Sequence, residues 1–189
     1  MSEFSLAQMA PRSELRRSLR ERIEELGAGL QVLAEGMLGD ASTIDLVAVD
    51  KAGQLVLVLI GEEGEDLELV TRSLALRRWV RMRIPDWLQL APQLGVKPDA
   101  GVRAILLCPS FHPDSVAASQ SLDAGDVELM VYRCLRNGEM SGVLVEPLPI
   151  HWPGETSRPS DERVEPARFR SGLTDSDLNL SPRERREFD

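Results

Sequence analysis

The chain has 189 residues, 42% of them hydrophobic, and a formal net charge of −9, enough for one self-supporting core plus appendages. It holds no apolar run long enough for a transmembrane helix, and its opening MSEFSLAQMAPRSELRRSLR has no apolar h-region of a secretory signal. Residues 1–148 hold 15 Lys and Arg against 22 Asp and Glu, and residues 149–189 hold 7 against 9, so a polyanion is repelled except at local basic patches.

Ser13 to Leu26 spaces Leu15, Leu19, Ile23 and Leu26 as the apolar stripe of a helix, with Pro11 before it and Gly27 closing it. Leu30 to Met37 reads as a short strand containing Glu35. The stretch Ile44 to Gly61, IDLVAVDKAGQLVLVLIG, reads as a hairpin: an apolar strand carrying Asp45, a turn at Lys51-Ala52-Gly53, and a second strand, Gln54 to Ile60. Asp66 to Ile84 is expected to be a long helix ended by Ile84-Pro85, because the residue before proline disfavours helix. Leu69, Val70, Leu74, Leu76, Trp79 and Val80 form its apolar stripe, and a short second helix is expected around Trp87 to Leu94.

Val102 to Cys108 is an apolar strand. Pro109 to Asp114 leads into a short helix through about Leu122, Val127 to Leu135 is another strand, and Asn137-Gly138 signals a hairpin turn into an edge strand, Met140 to Leu148. Prolines at 149, 153, 159 and 166 with many charges mark residues 149–189 as a flexible tail. Within it FRSGLTDSDLNL is apolar enough to dock, and Ser181-Pro182-Arg183-Glu184 has the form of a capping box opening a short terminal helix. The expected organisation is an N-terminal helix (1–27), a core domain (28–148) and the tail (149–189), in the order α-β-β-β-α-β-α-β-β.

Several local patterns carry little chemistry. Cys108 and Cys134 both lie in apolar strands and are expected to be buried thiols in a cytoplasmic protein rather than a disulfide. Cys108 and His112 are too few for a structural zinc site. Ser110 beside His112 lacks the Gly-x-Ser-x-Gly surround of a nucleophile elbow, and Gly61-Glu62-Glu63-Gly64 lacks the Lys-Ser/Thr of a phosphate loop. Trp79 and Trp87 are expected to pack in the core.

From Glu35 through DLVAVDKAGQLVLVLIG to VRAILLCPSFHPDSVAASQSL and VELMVYRC, about residues 28–135, the chain resembles the RecB-like and NucS-like branch of the PD-(D/E)XK nuclease superfamily. The resemblance implies an α/β fold of the restriction-endonuclease-like type, a mixed central sheet flanked by helices. It also implies that Glu35 and Asp45 stand where that family holds metal ligands. The family's Glu-x-Lys on the second strand is replaced here by Leu59 and Gly61, and Ala75 and Trp79 fall where its helix carries Gln-x-x-x-Tyr.

Phosphodiester hydrolysis in such a site needs one or two Mg²⁺ ions held by carboxylates, and a lysine for the attacking water. The expectation is therefore a pseudo-enzyme with no cofactor, a nuclease-like acidic module for protein–protein interaction or homo-oligomerisation, with no membrane partner. The alternative is a nucleic-acid-binding protein or Mg²⁺-dependent endonuclease with migrated active-site residues, its phosphate contacts supplied by Arg72, Arg77, Arg78 and Arg81.

Overall fold

The computed structural model describes residues 5–6, 10–39, 41–137 and 140–148. These fall in the first of two units into which the chain divides, Met1–Pro149. The docking segment and terminal helix expected in the tail lie outside the described residues.

The elements are β1 (Ser5–Leu6), α1 (Arg12–Glu21), β2 (Gln31–Leu38), β3 (Thr43–Val49), β4 (Leu55–Ile60), α2 (Asp66–Leu90), β5 (Val102–Cys108), α3 (Pro113–Gln120), β6 (Val127–Asn137) and β7 (Met140–Pro147). They form one mixed sheet, in which β4, β5 and β6 run parallel while β2, β3 and β7 pair antiparallel to their neighbours. The long strand β6 pairs with β5 over Val127–Val131 and, past the end of β5, with β1 at Leu135 and Arg136. β7 pairs with β6 from Met130 to Asn137. Asn137 pairs with Met140; Gly138, of the turn expected there, lies outside the described residues.

Each face of the sheet is covered, which explains why β4 is apolar at every position. Leu55, Leu57 and Leu59 pack with Leu69, Leu76 and Val80 of α2, while Val56, Val58 and Ile60 pack with Leu15 and Leu19 of α1. The same alternation divides β5: Ala104, Leu106 and Cys108 face α2, and Ile105 and Leu107 face the α1 side.

Three expectations are corrected. The first helix stops at Glu21 and continues only as a 3-10 turn, Ile23–Glu25. The two-residue β1 precedes it, too short to leave a pattern. Helix α2 does not end at Ile84-Pro85 but runs through Pro85 to Leu90, absorbing the short helix expected after it. Proline inside a helix forfeits one backbone bond and costs about 3 kcal/mol, so packing on both sides must offset it. Ile84 is fully buried, Trp87 and Leu88 pack on the core, and Trp79 meets Trp87 edge to face across the proline at 6.3 Å. Arg83 stacks 4.1 Å above the Trp79 ring, a cation–π contact that also bridges the two turns. Both tryptophans are half-buried, as packing residues.

Candidate functional site

Asp45 lies at a break in β3. Ile44 faces the α2 side and Leu46 the α1 side, although two residues of like parity on a regular strand share a face. Across the pair, Glu35 opposes Leu46 and Met37 opposes Ile44, which places Gly36 opposite Asp45. Gly36 has φ +61, a left-handed conformation that glycine adopts without steric cost. The alternation of β3 between the two faces is interrupted at Asp45.

The β3–β4 ladder stops beside Asp45. Its pairs run from Val49↔Leu55 to Leu46↔Val58 and go no further. Beyond them the N–H of Ile60 donates to Oδ2 of Asp45 at 2.9 Å, so a side chain stands where a strand carbonyl would be. Asp45 is 1% exposed.

Helix α1 supplies the counter-charge. Nε of Arg12 donates to Asp45 Oδ1 at 2.8 Å and Nη2 donates to Oδ2 at 2.7 Å, the two-pronged geometry that makes arginine–carboxylate pairs strong and directional. The hydrogen bond to Asp45 raises the Arg12 pKa above its already high value. Burial opposes this, and the negative charges of Asp45, Glu65 and Glu62 add to it.

One turn later Arg16 lies over Gly36, where a Cβ would stand 3.1 Å from its Nη1. A turn further, Arg20 pairs with Glu35 at 3.0 Å. Arg12, Arg16 and Arg20 thus form one i, i+4 ridge beside the buried Leu15 and Leu19. Its three members lie on Asp45, on Gly36 and on Glu35. The Arg20–Glu35 pair is surface-exposed and worth less than about 1 kcal/mol; the Arg12–Asp45 pair is the enclosed one.

Leu59 and Gly61, where the resemblance led to the expectation of Glu and Lys, sit in the α2-facing core. Leu59 is fully buried there. Gly61 continues the same face, and a Cβ on it would lie 2.7 Å from Sγ of Cys108 and 3.2 Å from Leu69. Its N–H donates to the Leu107 carbonyl at 2.8 Å, and its carbonyl accepts from the Tyr132 hydroxyl at 3.1 Å. Cys108 is enclosed enough that burial, reinforced by Asp66 and Glu65, pushes its thiol up to about 12. Burial likewise raises Tyr132 above the ordinary phenol value.

Around this point the C-terminal ends of β4 and β5 meet the starts of α2 and α3, the end of a parallel sheet where ligand crevices are usually found. Here the polar groups are bound to one another. Asp66 Oδ2 accepts from the His112 N–H at 2.8 Å and from Ser115 Oγ at 2.5 Å, tying the two helix starts together. Burial alone would raise the Asp66 carboxyl; these hydrogen bonds outweigh it and leave its pKa below the ordinary value. Ser110 Oγ donates to Glu63 at 2.7 Å, and the Glu62 N–H donates to Glu65 at 2.9 Å. His112 caps α3, its Nδ1 accepting from the Asp114 N–H at 3.3 Å. Ser110 and His112 are therefore turn and cap residues.

The two metal-ligand candidates lie on neighbouring strands and are held by different arginines. Asp45 is buried under Arg12, while Glu35 is exposed and held by Arg20. Of the helix arginines, Arg72 reaches the Thr43 carbonyl at 3.4 Å and Arg77 donates to the Val102 carbonyl and pairs with Asp126. Arg78 and Arg81 are exposed. The cysteines are both free thiols, Cys108 buried and Cys134 half-buried. Sequence reasoning missed Arg12 and Arg16, whose signal was the arginine spacing beside Leu15 and Leu19, and Asp66, whose partners lie more than 45 residues away.

No helix among the described residues is long and apolar enough to cross a membrane. No family model and no curated protein matches the chain. Among solved structures it is similar to a repair endonuclease from Pyrococcus abyssi, at 18% identity and a TM-score of 0.44 over 66% of this chain and 48% of that one. It is also similar to EndoMS in a complex with double-stranded DNA, at 17% identity and a TM-score of 0.37, covering 66% and 45%. A third is SfsA from Pyrococcus furiosus in complex with Ca²⁺, at 14% and 0.36, covering 72% and 62%. The chain spans about half the length of the two endonuclease chains, and none of these likenesses assigns a role to a residue here.

Proposed function

We propose that this domain is a non-catalytic descendant of the nuclease-like fold, a pseudo-enzyme that works by binding protein. The observation that carries this reading is the Arg12 guanidinium forked onto Asp45. Both carboxylate oxygens are committed, Oδ1 to Nε and Oδ2 to Nη2 and to the Ile60 N–H. A divalent cation, usually held by one or two carboxylates with waters, would have to displace Arg12 from those oxygens. Glu35 is turned to solvent with Arg20, Leu59 is apolar core, and the space a lysine would need at Gly61 holds Cys108 Sγ. The residues present do not fit Mg²⁺.

A nucleic-acid-binding reading keeps Arg78 and Arg81, which are exposed, but loses Arg72 and Arg77 to backbone carbonyls and Asp126. Isothermal titration of Mg²⁺ and Mn²⁺ into wild type and Asp45→Ala, followed by duplex and branched DNA, tests the proposal. The expected result is no metal binding, no cleavage and no salt-dependent DNA association. Metal binding that disappears in Asp45→Ala, or any metal-dependent cleavage, refutes it.

A further inference from the structure

We draw no further inference here: the strongest candidate, the outer edge of β2 beside Arg16, is a strand edge whose register breaks between Val32 and Ala34 and whose backbone turns left-handed at Gly36, and nothing among the described residues shows what would cover it.

Discussion

Replacing Arg12 by alanine would strand a carboxylate that is 1% exposed with the Ile60 N–H as its remaining donor. Removing one partner of a fully buried ion pair costs about 3–5 kcal/mol. The Arg12 side chain is 34% exposed, so water reaches the vacated side and the figure falls to about 2–3 kcal/mol. Asp45→Asn behaves differently, because an amide oxygen still accepts from Ile60 and the guanidinium left behind is partly solvated; about 1–2 kcal/mol is expected.

In Arg12→Ala with Asp45→Asn no buried charge is left, so the double variant should be no less stable than Asp45→Asn alone by more than about 0.5 kcal/mol. The coupling energy from the cycle is then about 2 kcal/mol, read from urea unfolding of the four proteins. In a chain of this size Arg12→Ala alone lowers Tm by roughly 5–10 °C. Additivity within about 0.5 kcal/mol would show that Arg12 and Asp45 are not energetically coupled and refute the stabilising role of the fork.

Gly61→Ala places a methyl group 2.7 Å from Cys108 Sγ, and overpacking of this kind costs about 1–3 kcal/mol. Adding Cys108→Ala should recover much of that loss in urea unfolding, and failure to recover it would mean that Sγ is not the obstacle. A thiol reagent at pH 8 should label the half-buried Cys134 first and Cys108 only as the protein unfolds, since the Cys108 thiol is held at about 12 against an ordinary 9.0. Equally fast labelling of both would contradict that enclosure.

Asp66 titrates below its unfolded value. Its contribution to stability is therefore fully present above about pH 4 and is lost as pH falls through the folded value. Asp66→Asn should flatten that part of the acid limb of stability against pH. An unchanged slope would mean that the His112 and Ser115 bonds do not favour the charged form.

How much could be seen in the sequence follows the range of the interactions. The hairpin of β3 and β4 was legible because an apolar run bounded by Lys51-Ala52-Gly53 is a local signal, and so were β5 and the paired strands β6 and β7. The passage of α2 through Pro85 was not, because the packing of Trp79, Ile84 and Trp87 that sustains it depends on a core the local rule for proline does not see. Asp45 was legible as a residue out of character in an apolar strand, but its partner was not, since Arg12 lies 33 residues away. Leu59 and Gly61 were noticed only through the resemblance; that Gly61 is backed by Cys108 needed the parallel pairing of β4 with β5.

The hydrogen bond from Ile60 to a side chain gives that one amide a different fate from its neighbours in β4. Amides bonded to strand carbonyls exchange with solvent deuterons when strands separate, whereas this one is released when a single carboxylate swings away. Its proton resonance therefore reports on the Asp45 rotamer, and an isotope-labelled sample would read the Arg12–Asp45 fork at one backbone position.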